Sequence, residues 1–251
     1  MKSFFNQKFS RRMLLFSGIS SLAALGFFFK SRIFSRWLEQ STTEQVLFHV
    51  DTAEKVIALT IDDGPHETLT AQILDILADH DIKATFFILG DNVPGNEAVL
   101  QRLVAEGHEL GNHLMNDARS IGLNESEFLE QVSQAHHIIS QYADVKWFRP
   151  GSGWYNDRML AQIRPFKYRT VIGSVYPFDA QIRSKEFASS YILSNTQPGS
   201  IIILHDGKTE RQHTPSVLHK IIPALQKRGF KFLTLSELVE IGENPAPAAV
   251  K

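Results

Sequence analysis

Residues 56–61 read Val-Ile-Ala-Leu-Thr-Ile, an apolar and partly β-branched run that stops on Asp62 and Asp63 and is broken by Gly64-Pro65. Such a run suits a strand buried on both faces, and a Gly-Pro pair starts a turn. Two adjacent carboxylates at the end of a buried strand need a cation or hydrogen bonds to offset their desolvation. In extended backbone they point to opposite sides, so one can ligate a metal while the other stays free as a base. A plain β-turn with two solvated carboxylates has the same local pattern. The partners further along the chain decide between the two.

From residue 46 onward, strand-like runs alternate with helical patterns. Strands are expected at 56–61, 84–89, 109–113, 145–148, 169–175, 200–205 and 231–235. Helices are expected at 68–80, 97–106, 125–142, 157–164, 187–195, 215–228 and 236–241. Asn124 followed by Glu125 and Glu127 is a good helix start, as is Thr214-Pro215, and Gly229 after Lys227-Arg228 is a stop signal. This alternation predicts an α/β fold: a parallel sheet of about seven strands closed as a distorted (β/α) barrel, a single domain over 46–242. The tail 243–251, rich in Pro and Ala, is expected to be disordered.

Composition removes several classes of function. The formal charge is −1, so no basic field for nucleic acid exists. The chain has no cysteine, which excludes disulfides, thiolate metal sites and a cysteine nucleophile. Residues 1–45 differ from the rest. Lys2, Lys8, Arg11 and Arg12 precede an apolar stretch over 13–29, a basic region followed by a hydrophobic one. Ser10-Arg11-Arg12-Met13-Leu14-Leu15 is similar to a twin-arginine export signal. The expectation is an exported or membrane-anchored protein of the cell envelope, its N-terminal segment touching the membrane and a polar linker following.

In a parallel βα barrel, chemistry gathers at the carboxyl ends of the strands. Asp62, Asp63, His113, Arg149, Asp179 and His205 all fall at or just past such ends. His113 and Asp117 are four residues apart, a spacing that puts both on one face of a helical turn. With one strand-end Asp they would make a three-ligand metal site with open positions. A lone His-x-x-x-Asp carries little weight by itself. Arg149-Pro150 opens a glycine-rich loop in which Ser152 sits between two glycines, beside Trp154 and Tyr155. A buried Arg holds a carboxylate ionised, close-approaching backbone amides can meet a substrate oxygen, and the two aromatics could stack on a sugar ring. An ordinary tight turn with packed aromatics would look the same. His205 ends an apolar strand; a carboxylate partner would raise its pKa toward general-acid use. His66, directly after the Asp-Asp turn, could reach the cleft. His136, His137, His213 and His219 read as surface or helix-flanking residues, and His108 as structural.

The ordered set Thr60-Ile61-Asp62-Asp63-Gly64-Pro65, Gly107-His108-Glu109-Leu110-Gly111-Asn112-His113, Phe148-Arg149-Pro150, Asp179 and Leu204-His205-Asp206 resembles the NodB-type polysaccharide deacetylases, a carbohydrate esterase family, over about 56–238. The resemblance implies a distorted (β/α) barrel of NodB-homology type that removes N- or O-acetyl groups from chitin-like glycans or peptidoglycan. It implies one divalent metal ion, commonly zinc, polarising the acetyl carbonyl. By the same resemblance Asp62 is the general base, Asp63 and His113 are metal ligands, Arg149 orients Asp62, and Asp179 tunes His205, the proton donor to the leaving group. An amide near Ser152 would complete the oxyanion site.

Three positions depart from the pattern. Asp117 stands where the family has a second histidine, Leu114 where it has Ser or Thr, and Arg149-Pro150-Gly151-Ser152-Gly153-Trp154 where it has Arg-x-Pro-Tyr. An Asp-His-Asp site adds hard oxygen character and admits cobalt, nickel, manganese or magnesium beside zinc. Two other readings remain at this level: an amidase on the same fold acting on a small non-sugar amide, and an inactive glycan-binding homologue.

Overall fold

A computed structural model describes residues 45–244. Of the N-terminal signal or anchor expected over 1–45, residues 1–44 lie outside the described residues, as do residues 245–251 of the tail expected over 243–251. No helix among the described residues is long and apolar enough to cross a membrane.

Eight strands, all paired in parallel, form the wall: β1 (Val46–Leu47), β2 (Val56–Asp62), β3 (Thr85–Ile88), β4 (Glu109–Asn112), β5 (Trp147–Phe148), β6 (Arg169–Val171), β7 (Ile201–His205) and β8 (Lys231–Leu233). Their order is β1-β6-β5-β4-β3-β2-β7, with β8 on β2. Ala58 pairs with both Ile201 of β7 and Leu233 of β8, so β8 lies on the β3 side of β2, along its amino half. Two isolated bridges, His49 with Ser200 and Val175 with Ile202, join the β1–β6 edge to β7. The barrel is thus closed, but along one seam by single bridges in place of a full ladder. β1 is absent from the strands expected from sequence; at two residues it is too short to show a pattern.

The helices are α1 (Leu69–Asp79), α2 (Glu97–Ala105), α3 (Glu125–Ile139), α4 (Asp157–Ile163), α5 (Lys185–Asn195), α6 (Thr214–Lys227) and α7 (Leu235–Glu243). Asn124 and Glu127 form a reciprocal capping box on α3, and Thr234 and Glu237 form another on α7. α7 continues through Glu243, one residue into the stretch expected to be disordered.

The period of two along a strand sorts the core into two layers. Ile57, Leu59 and Ile61 face the helices and join their apolar sides, together with Phe86, Phe148, Ile202 and Leu204. Val56 and Ala58 face inward with Phe87, Trp147, Val171 and Ile201, where Leu235 and Leu238 of α7 close the barrel floor. The inward register of β2 continues through Thr60 to Asp62. The barrel interior therefore changes from apolar at its floor to polar at the carboxyl ends.

Phe128 of α3 is fully buried and meets Phe148 edge-on, ring centroids 5.8 Å apart. Phe128→Ala is expected to lower unfolding stability by about 3–5 kcal/mol through lost burial and a residual cavity, measured by chemical denaturation. A change below about 1 kcal/mol would mean this helix does not close the core as described.

Candidate active site

Asp62 is the last residue of β2 and 3% exposed. A carboxylate taken this far out of water needs a fixed partner, and Arg149, just past β5, supplies it: Nη1 donates to Asp62 Oδ1 at 2.5 Å. The same Nη1 donates to Thr60 Oγ1 at 2.9 Å, and Nε donates to the Val171 carbonyl at 3.1 Å. The guanidinium carbon lies 4.0 Å from the centroid of Phe87, a cation–π contact inside the barrel. Burial lowers the Arg149 pKa from its ordinary value, and Asp62 opposes that shift.

Asp63 leaves the strand at φ 78°, in the left-handed region, which turns its side chain away from Asp62. Asn92 Nδ2 donates to the Asp63 carbonyl at 2.6 Å. Gly207 presses on that same carbonyl, and a Cβ at position 207 would collide with it. The Asp63 carboxylate then meets two groups. His113 Nε2 lies 3.6 Å from Oδ1, and Arg211 Nη2 lies 3.5 Å from Oδ2.

His113 is oriented through its other nitrogen, Nδ1, which donates to the Arg149 carbonyl at 2.7 Å. In the neutral ring that bond leaves the Nε2 lone pair facing the Asp63 oxygen. A lone pair and a carboxylate oxygen at 3.6 Å do not bond to each other, but they suit a cation between them. Two ligand atoms of a tetrahedral zinc ion stand roughly 3.3–3.5 Å apart. Asp63 and His113 therefore fit two positions around one divalent ion.

Asp117 does not complete this set. The expected helical turn over 113–117 is absent: Leu114 takes φ 71° and the chain runs on as a loop. Leu114 and Met115 instead accept backbone bonds from Gly90 and Asp91 at 2.9 Å each, and Asn112 Oδ1 accepts the Leu114 amide at 2.8 Å. These bonds offer the backbone an alternative to helical pairing. The Asp117 carboxylate is half-exposed and accepts from Lys208 Nζ at 2.7 Å. Among the described residues, no three His, Asp or Glu side chains gather as a ready metal cage.

Across β2 stands His205, the last residue of β7 and the register partner of Asp62. Asp179 is fully buried and holds His205 twice. Its Oδ1 lies 3.0 Å from Nδ1, and its Oδ2 accepts the His205 amide at 3.0 Å. Burial opposes the imidazolium, but Asp179 by charge and hydrogen bond, with Asp62 and Asp63 beyond it, raises the pKa to about 9. The stabilisation from this charge is complete below pH 6.5 and is lost as pH rises through about 9. Next along the chain, burial raises the carboxyl of Asp206 to about 7, opposed by a 2.5 Å bond from Thr70 Oγ1.

The loop after β5 is a single 3₁₀ turn, Gly151–Gly153. Gly151 is packed so closely on the Ala118 carbonyl that no side chain fits, and Ser152 takes φ 62°. The amides on either side are engaged, Gly151 N–H with Ser120 Oγ at 2.6 Å and Gly153 N–H with the Pro150 carbonyl at 3.0 Å. Trp154 is 62% exposed, and Tyr155 leans on Phe48 with ring centroids 6.5 Å apart. His66 is held locally: its Nδ1 accepts from the Thr68 and Leu69 amides at 3.2 and 3.3 Å, serving the start of α1.

Sequence reasoning brought Asp62, Asp63, His113, Arg149, Asp179 and His205 to one barrel mouth, and the structure gathers them there. It missed Lys208 and Arg211, which follow His205 on one loop and pair with Asp117 and Asp63. Their signal was two cations within six residues of a strand-end histidine.

Residues 49–171 match the family model described as polysaccharide deacetylase. The chain is 34% identical over 204 residues to a peptidoglycan-N-acetylglucosamine deacetylase of Bacillus cereus, covering 80% of this chain and 96% of that protein. Among solved structures it is similar to a peptidoglycan N-acetylglucosamine deacetylase in complex with 4-naphthalen-1-yl-N-oxidanyl-benzamide. That likeness has a TM-score of 0.74 and 32% identity, over 78% of this chain and 93% of that one. A family 4 acetyl xylan esterase from Clostridium thermocellum, solved with a cobalt ion, is similar at TM-score 0.69 and 31% identity, over 77% and 93% of the two chains.

Arg149→Met leaves Asp62 buried without its counter-charge and is expected to cost about 3–5 kcal/mol of stability at neutral pH. Chemical denaturation checks it.

Proposed function

The chain belongs to the polysaccharide deacetylase family, and on that footing we propose that it removes acetyl groups from an N-acetylated polysaccharide such as peptidoglycan or a chitin-like glycan. The observation that carries this is the pairing across β2 and β7: a carboxylate fixed by Arg149 faces an imidazolium fixed by Asp179. An amide hydrolysis needs a base for water and an acid for the departing nitrogen, and these two groups stand on adjacent strand ends. Asp62 takes the proton from water as its oxygen adds to the acetyl carbonyl. His205 gives its proton to the nitrogen as the carbon–nitrogen bond breaks, leaving acetate and a free amine.

A divalent ion held by Asp63 and His113 would supply Lewis acidity toward the acetyl carbonyl and the attacking water. Histidine nitrogen with carboxylate oxygen suits zinc, and cobalt or another first-row ion is compatible with the same donors. The chain's own part is orientation: the Arg149 carbonyl sets the His113 tautomer while its side chain sets Asp62. Ser152 lies on the glycine-rich loop and would offer its amide to the developing oxyanion, with exposed Trp154 and neighbouring Tyr155 available to stack on the sugar. Peptidoglycan lies outside the cytoplasm, which agrees with the export signal expected over 1–45. That segment would bring the barrel to its substrate at the envelope.

Acetate release from peptidoglycan and from chitin oligomers tests the activity, with and without chelator. Asp62→Asn should retain metal binding and lose about 10²–10⁴-fold in kcat, whereas His113→Ala should lose both. No acetate from either glycan, with metal supplied, would overturn the reading.

The pH profile tests the acid separately. Activity should fall as pH rises through about 9, where His205 deprotonates. Asp179→Asn removes the strongest influence raising that pKa, so the alkaline limb should move to lower pH. An unmoved limb would remove His205 from the acid role.

A further inference from the structure

The turn over 62–66 carries two carboxylates of the site, and two buried residues outside it hold both its ends. Thr70, in the first turn of α1, and Asp206, directly after β7, are fully buried. At the entry to the turn, the Asp206 amide donates to the Asp62 carbonyl at 3.0 Å. At the exit, the His66 amide donates to Thr70 Oγ1 at 2.8 Å. Thr70 Oγ1 donates in its turn to Asp206 Oδ2 at 2.5 Å, which closes a ring of bonds around the segment. Gly64 lies against the same carboxyl so closely that a Cβ there would stand 2.8 Å from Asp206 Oδ1.

The segment needs such a bracket. Asp63 stands at φ 78°, and a residue with a Cβ stays in that region only where its surroundings over-determine it. This twist sends the Asp63 carboxylate toward His113 while Asp62 stays with Arg149. From the β3 side, Asn92 Nδ2 holds the Asp63 carbonyl at 2.6 Å, and the Leu89 amide holds the Gly64 carbonyl at 3.0 Å. From the β7 side the hold is Asp206, anchored by Thr70. Folding alone gives little reason for a carboxyl here, because its desolvation offsets its bonds and an apolar pair would fill the same space. An apolar pair would not tie the start of α1 to the end of β7 by a directed bond.

We propose that Thr70 and Asp206 are positioning residues: the bond between them sets where the 62–66 turn sits, and so aims Asp62 at the attacking water and keeps Asp63 facing His113. The inference rests on the proposed deacetylase reading for the part played by Asp62. Its geometric half, the hold on Asp63, stands without that reading. Thr70 and Asp206 lie 136 positions apart, so the turn takes its shape from α1 and β7 as well as from its own residues.

The test removes the hydroxyl alone. Thr70→Val takes away both the proton given to Asp206 and the oxygen that accepts the His66 amide, whereas Thr70→Ser keeps them. Acetate release by the full chain is measured where circular dichroism shows each variant folded, and crystal structures of the wild type and Thr70→Val are compared. Thr70→Val should lower kcat roughly 10- to 100-fold with KM changed less than about twofold, because an error of about 1 Å in a reacting group costs on the order of 10²-fold. Thr70→Ser should recover most of that rate. In the crystal, Asp63 should leave the left-handed region or its carboxylate should part from His113. Full kcat in Thr70→Val, a loss confined to KM, or a serine variant as slow as the valine one would overturn the inference. Asp62 and Asp63 unmoved in the crystal would overturn it too, even for a wild type that released no acetate, the result that overturns the deacetylase reading. Thr70→Ala removes the same hydroxyl from a smaller side chain and takes the place of Thr70→Val if that variant does not fold.

Discussion

Arg149 is the residue on which the mouth of the barrel depends. Its side chain carries a charge into a buried space and therefore must be satisfied from several directions at once. Asp62 and Thr60 of β2, the carbonyl of Val171 at the end of β6 and the face of Phe87 from β3 all converge on it. Its backbone carbonyl does a second job by receiving Nδ1–H of His113. One residue thereby orients Asp62 through its guanidinium and His113 through its main chain. The two side chains are tied to a single position in space, which prevents either from drifting alone.

Charge at this end of the barrel is arranged as pairs of decreasing burial. Asp62 with Arg149 is almost wholly enclosed, and Asp179 with His205 nearly so. Asp63 meets Arg211 and His113 at longer range, and Asp117 with Lys208 lies toward solvent. The inner pairs are expensive to separate and hold geometry. The outer pair lies toward solvent, where an ion pair is worth little.

The β7 strand shows why the fold can place these groups so closely. Its register against β2 sets His205 directly beside Asp62, although 143 positions separate them in the chain (205 − 62). Parallel pairing puts both strand ends at the same rim, so every inward residue at a carboxyl end becomes a candidate for the site. The apolar floor built from Val56, Ala58, Leu235 and Leu238 gives that rim a rigid base.

The strand at 56–61, the capped helix start at Asn124 and the identity of the strand-end Asp, His and Arg residues were legible from local pattern, because burial on both faces, period and capping each leave a mark within a few residues. Asp117 and His66 show where that stops. A spacing of four suggested one helical face, yet bonds from Gly90 and Asp91 to the backbone of 114 and 115 draw the segment into a loop. His66 accepts at Nδ1 from the amides of Thr68 and Leu69, a local contact its place after the Asp-Asp turn did not show. The sequence by itself determined a parallel α/β barrel with carboxylates, histidines and an arginine at its rim. Only the tertiary structure decided which carboxylate takes which cation, because that choice rests on distances between side chains far apart in the chain and on how deeply each is buried.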